Sequence, residues 1–120
     1  MKLLTKAIKE KLIANHKNQD KEFSKEFKVV VKFFNPYGRG TWYLSELDPE
    51  TNIAYGLCVL DYNELGYVSL DELSEYKGPL GLGIERDKYF SSNKYTPREC
   101  KQFHKSKGAV LTIWVYLQMK

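Results

Sequence analysis

Nine of the chain's acidic residues crowd into residues 41–85, where a single cation, Lys77, stands among them. Two of the nine, Glu46 and Asp48, lie two positions apart at the end of a predicted strand, a spacing that can put both on one face. Asp61, Glu64, Asp71 and Glu72 follow closely in sequence. Convergent carboxylates could bind Mg²⁺ through oxygen ligands or carry general acid–base chemistry. The same segment, however, contains no histidine and no repeated metal-ligand spacing. Asp48 and Asp61 also fall in turn sequences, and Asp71 and Glu72 open a helix, all places where acids are favoured for local reasons. No metal and no cofactor is therefore expected. The functional reading that remains is electrostatic. Glu46, Asp48, Glu50, Asp61, Glu64, Asp71, Glu72 and Glu75 would form an acidic surface that docks a basic patch on another protein.

Two further sets of residues suggest chemistry and fall short of it. Cys100 and His104, four apart on a predicted helix, share a face and could supply half of a zinc site. The other ligands would have to come from Cys58, His16 or carboxylates without supporting spacing, so a packed thiol near a surface histidine is the plainer reading. As a nucleophile pair they lack a third group to orient them. Gly78-Pro79-Leu80-Gly81-Leu82-Gly83, followed by Arg86 and Lys88, superficially suggests a phosphate loop. Such loops sit between a strand and a helix N-terminus, or end in Gly-Lys-Ser/Thr, and neither context is present. No residue set specifies a reaction, and the chain reads as non-catalytic.

Charge is dealt out unevenly along the whole chain. Residues 1–40 carry ten Lys/Arg against four Asp/Glu, and residues 86–120 carry eight against two. The segment charges are +6, −8 and +6, which sum to the overall +4. Both basic ends interleave with aromatics such as Phe33, Phe34, Tyr37, Tyr89, Phe90 and Tyr95. Bases can stack on exposed rings while cations neutralise phosphates, so Lys28, Lys32, Arg39, Arg86, Lys88 and Arg98 form the alternative, nucleic-acid-binding reading.

The elements that would position these residues follow from local patterns. Leu4, Ile8 and Leu12 recur every four residues between lysines, which predicts an amphipathic helix over 5–15 with Thr5 as N-cap. Residues 16–25 are polar and predict a linker. Residues 28–34 alternate, placing Val29, Val31 and Phe33 on one face and Lys28 and Lys32 on the other. Further strands are expected at 41–47, 53–60 and 65–69, separated by short turns that favour an antiparallel meander. Ser69 and Glu72 fit a capping box for a short helix to about residue 76, and residues 77–83 predict a loop. Thr96-Pro97-Arg98-Glu99 is a stronger helix start, with an end near Lys107 and a stop at Gly108. Residues 110–119 alternate cleanly and predict a final strand that joins the sheet.

At 120 residues the chain is expected to be one domain, large enough to bury about two-thirds of its unfolded surface without disulfide or metal. Two cysteines are too few for a disulfide framework, and Cys58 sits in an apolar run. The N-terminus lacks a continuous apolar stretch of secretory type, and residues 109–117 are too short to span a bilayer. A soluble, cytoplasmic protein is expected.

A set of segments is familiar in combination. It comprises Thr41-Trp42-Tyr43, Glu46-Leu47-Asp48-Pro49-Glu50, Tyr55-Gly56-Leu57-Cys58-Val59 and Glu64-Leu65-Gly66-Tyr67-Val68-Ser69-Leu70-Asp71-Glu72-Leu73. It continues through Gly78-Pro79-Leu80-Gly81-Leu82 and Ile84-Glu85-Arg86-Asp87-Lys88-Tyr89-Phe90. Over roughly residues 1–90 the chain resembles the uncharacterised DUF2958 domain family, with Gly83 standing where a proline is expected. Residues 91–120 read as an extension beyond that core. The resemblance carries no catalytic residues. It implies a context, a small protein of a plasmid, phage or integrated element, and proteins of that kind often counter host defences.

The expected architecture is α+β: a mainly antiparallel β-sheet meander with N-terminal and C-terminal helices packed on it. The expected function is non-catalytic protein binding for a mobile genetic element, as an anti-CRISPR or antirestriction inhibitor that meets the basic surface of a host nucleic-acid-processing effector. The alternative is a nucleic-acid-binding accessory protein that uses the basic ends.

Overall fold

Residues 3–19 and 26–105 are described by a computed structural model of the chain. Helix α1 (Lys6–Lys17) opens on Thr5, whose side-chain oxygen accepts the amide of Ile8 at 3.2 Å. It runs two residues past the expected end, and its apolar stripe buries Leu12 completely. Strands β1 (Val31–Phe34), β2 (Thr41–Asp48), β3 (Ile53–Val59) and β4 (Asn63–Ser69) pair in sequence order, each antiparallel to the last. Short turns leave no other pairing within reach. Ser69 then caps α2 (Leu70–Glu75), accepting the amide of Glu72 at 3.2 Å as the capping box requires. A 3₁₀ turn at Pro79–Gly81 leads to β5 (Glu85–Arg86), and Pro97 starts α3 (Pro97–Lys105).

The sheet order is β4-β3-β2-β1-β5. Strand β5 is too short to be seen in the sequence pattern. It joins the outer edge of β1, pairing Arg86 with Phe33 and Glu85 with Phe34. Helices cover both faces. On one, Leu12 of α1 and Leu70 and Leu73 of α2 pack with Phe33, Trp42, Leu44, Leu47 and Ala54. On the other, Cys100 and Phe103 of α3 pack with Tyr43, Leu57 and Val29. The expected α+β architecture is the one observed.

Two local expectations are corrected. Within 28–34 only Val31–Phe34 pair as a strand, and Val29, Val30 and Val31 are all buried because the segment passes between the two cores. Lys32 is not on a solvent face: its residue exposure is 3 %. Helix α2 ends and the loop after it turns as expected. The end of the last helix beyond Lys105, its stop at Gly108, the strand over 110–119 and most of the predicted linker, 20–25, lie outside the described residues. Among the described residues no helix is long and apolar enough to cross a membrane.

Candidate functional site

Four of the acidic residues, Asp48, Glu50, Asp71 and Glu72, gather at one end of the sheet. Asp48 closes β2 and its carboxylate accepts the amide of Glu50 at 2.9 Å, which shapes the β2–β3 turn. That hydrogen bond holds the Asp48 carboxyl below the ordinary carboxylate range. Asn52, with φ of 58°, completes the turn; its carbonyl accepts the amide of Leu70 at 3.0 Å and its side chain donates to Asp71 at 2.8 Å. Asn52 therefore ties the turn that carries Asp48 and Glu50 to the helix start that carries Asp71 and Glu72. Glu50, Asp71, Glu72 and Glu75 are exposed. Asp61 and Glu64 stand instead at the β3–β4 turn, the length of a seven-residue strand away, about 20 Å. Asp61 is also paired there with Arg39. The eight acids thus form no single cluster: Asp48, Glu50, Asp71 and Glu72 are joined at one end, and Asp61 and Glu64 stand at the other.

Beside that end, on the face that carries α3, a cross-strand row runs Glu46, Tyr55, Tyr67. Glu46 on β2 is opposite Tyr55 on β3, which is opposite Tyr67 on β4. The two rings lie 5.2 Å apart, tilted by 57°, and Tyr67 is 75 % exposed. With Asp48 and His16 they line a groove of ≈ 230 Å³. His16 reaches over from the end of α1, its Nε2 3.9 Å from the Asp48 carboxylate. Burial, with the Glu26 carboxylate second, pushes the Tyr55 phenol up, so it stays neutral. A bulge between Leu44 and Glu46 creates the row. One extra residue in β2 turns every later side chain to the opposite face. Without it Glu46 and Asp48 would point at α1. Nothing in the local sequence marks the bulge, and Tyr67 lies inside the expected strand 65–69 with nothing to single it out.

The basic residues fare differently. Lys32 is paired with Asp87, Nζ to Oδ2 3.4 Å, and sits 5.6 Å from the centre of the Tyr43 ring. Arg39 pairs with Asp61. Arg86 donates to the carbonyl of Leu3 at 2.9 Å, and Arg98 pairs with Glu26 at 3.3 Å. Lys28 and Lys88 are exposed. Of the six cations of the alternative reading, Lys32 is buried in its pair and Arg86 is bonded to the main chain, whereas Arg39 and Arg98 are in exposed surface pairs and Lys28 and Lys88 are exposed.

Cys100 and His104 are both absorbed by packing. Cys100 is fully buried, and burial pushes its thiol up to about 12, the wrong direction for a thiolate nucleophile or zinc ligand. His104 Nε2 is 3.1 Å from the Tyr43 hydroxyl, with the rings 5.4 Å apart. Among the described residues no three His, Cys, Asp or Glu side chains group as a metal site. The glycine loop runs into β5, not into a helix, so it has no phosphate-binding context.

The burial of His104 makes folding pH-dependent. Burial, assisted by the Lys32 ammonium, holds the His104 pKa below its ordinary value. As pH falls, the unfolded chain takes up this proton first. The contribution is complete above about pH 6.5 and is lost as pH drops from there through the lower folded pKa. Urea midpoints should fall across that window more steeply in the native chain than in His104→Gln. Equal slopes would remove His104 as the cause.

Comparison with curated proteins and with solved structures gives no significant match. A family profile does match, over residues 3–104, described as protein of unknown function (DUF2958). The match runs past the residue-90 limit of the sequence resemblance and includes nearly all of α3, so that helix lies inside the family pattern and is no extension. With the five strands of the described residues and nearly all of their helices inside the matched span, the chain belongs to the DUF2958 family.

Proposed function

We propose that this protein is a non-catalytic, cytoplasmic binding factor of a mobile genetic element whose acidic end docks on a basic, nucleic-acid-binding surface of a host protein. A CRISPR or restriction effector has the right chemistry. The observation that carries this reading is the Asn52 link, which joins Asp48 and Glu50 to Asp71 and Glu72 on one rigid turn-and-helix corner. Opposite potentials steer encounter and suppress wrong partners, and a fixed corner loses little entropy on binding. Asp61 and Glu64 drop out of the docking surface because of their distance and the Arg39 pair.

That split supplies an internal control. The tagged protein is used to co-purify partners from host lysate, with and without nuclease treatment. Glu50→Lys/Glu72→Lys/Glu75→Lys should reduce capture of a stoichiometric protein at least tenfold at unchanged thermal stability. Asp61→Lys/Glu64→Lys should leave it intact. Capture that is lost on nuclease treatment, or equally affected by both variants, would defeat the reading.

A further inference from the structure

We propose that the cavity between the start of α1, α2 and the chain entering β5 binds a small organic anion, an apolar body that carries a carboxylate or phosphate group. The inference is independent of the docking reading, since it concerns a cavity and a small molecule, not a surface and a protein.

The shape comes first. Helices α1 and α2 cover the same face of the sheet and leave beside them a cavity of ≈ 810 Å³. That volume falls within the range of about 300–1,000 Å³ typical of small-molecule sites. Its floor is apolar: Leu3, Leu70 and Ile84 are buried, and Leu82 stands at the rim, 42 % exposed. Its walls are fixed by contacts of their own. Arg86 of β5 donates to the Leu3 carbonyl at 2.9 Å, which ties the chain before α1 to the edge of the sheet. Gly83 passes so close to the Tyr76 carbonyl, at the end of α2, that a Cβ there would lie 2.8 Å from it. The chain entering β5 is thus pressed against the end of α2. A cavity held in this way loses little to ordering when a ligand enters.

Three lysines supply the charge. Lys6 and Lys9, three positions apart on one side of α1, line the cavity, and Lys77 lines it from the segment after α2. Among the described residues none of the three is ion-paired. Glu85 is the one carboxylate among the described lining residues, and the neighbouring Asp71 is engaged by the Asn52 side chain at 2.8 Å. The placement of Lys6 and Lys9 also brings the fold no return. The unpaired amides of a first helical turn carry partial positive charge, so acids are favoured there and cations are not. Helix α1 has no acid in that turn and begins on Lys6. Positive charge is therefore gathered, at some cost to the helix, around a cavity with an apolar floor. An anion with an apolar body complements both features.

The test uses simple probes. The folded, isotope-labelled protein is titrated with octanoate, octyl phosphate, octylammonium and acetate, and the backbone amides of residues 3–9 and 82–85 are followed by NMR. Saturable shifts at millimolar or lower concentration are expected with an octyl anion, and at least tenfold weaker binding with octylammonium and with acetate. The tighter of the two octyl anions names the head group. Lys6→Gln/Lys9→Gln/Lys77→Gln should weaken that anion at least fivefold. Lys11→Gln/Lys17→Gln/Lys101→Gln, which removes the same charge elsewhere, should not. Leu82→Ser, at the rim, should weaken it at least threefold through the apolar body. Thermal unfolding of each variant checks that binding is not being read through stability. No saturable shift with either octyl anion would overturn the assignment. Equal binding of octylammonium would reduce the site to an apolar crevice, and equal losses in the two lysine variants would reduce it to net charge; either result also defeats it.

Discussion

Asp87→Ala is expected to lower the free energy of unfolding by about 3 kcal/mol, because it takes a carboxylate partner from an ammonium already out of water. The Lys32 side chain is 4 % exposed and that of Asp87 10 %, with Nζ 3.4 Å from Oδ2. The amide of Asp87 also donates to the Lys32 carbonyl at 2.9 Å, so β1 and the end of β5 are joined by both main chain and side chain. A domain of this size has a total stability on the order of 5–15 kcal/mol, so the loss would be a large share of it. Urea denaturation at neutral pH measures it. Lys32→Met/Asp87→Leu should recover most of the loss, since an apolar pair of similar volume carries no desolvation cost. The exposed Arg39–Asp61 pair is the contrast: Asp61→Ala should cost at most about 1 kcal/mol. A cost below that for Asp87→Ala would mean that the Lys32 ammonium reaches water.

Gly56→Ala should be as damaging, by about 3 kcal/mol or more, for a steric reason. A Cβ at Gly56 would lie 1.9 Å from the Tyr43 carbonyl oxygen and 2.8 Å from the Leu44 Cα. Both are backbone atoms of the central strand, which cannot swing aside as a side chain would. Gly56 is paired with Leu44, immediately before the register slips at the bulge. The close approach and the bulge belong together, and separating these strands would also dismantle the row that places Glu46 beside Tyr55. Gly66 on neighbouring β4 is the control, since a Cβ there meets nothing within 4 Å. Gly66→Ala is expected to be neutral or to stabilise by about 0.4–1 kcal/mol through the unfolded chain. Chemical denaturation of the two variants, with the tyrosine resonances as a check on the groove, separates the cases. Equal effects at the two glycines would refute the steric account.

Much of this fold was legible in local pattern. Thr5, Ser69 and Thr96 each cap the helix they were expected to cap, the last with reciprocal bonds to Glu99 of 3.0 and 3.1 Å. The four-strand meander follows from short turns between alternating segments. These features depend on residues within a few positions of one another, and such interactions survive in any context that keeps the segment together. The division of charge between the middle and the ends was equally plain, because it needs only counting.

The candidate site was legible only as a list of acids. Tertiary structure decided which of them meet. Asp61 was drawn to Arg39 at the opposite end of the sheet, while the Asn52 side chain brought Asp71 to the β2–β3 turn. Lys32, on the polar side of its own alternation, was buried by Asp87, a residue fifty-five positions away. The bulge in β2 is held by an amide from another element, Asn15 of α1, which donates to the Ser45 carbonyl at 2.9 Å. A strand's alternation says that Glu46 and Asp48 share a face but is silent on which face. One inserted residue reverses the answer, and whether it is inserted depends on whether a distant group stands ready to satisfy the carbonyl it leaves unpaired.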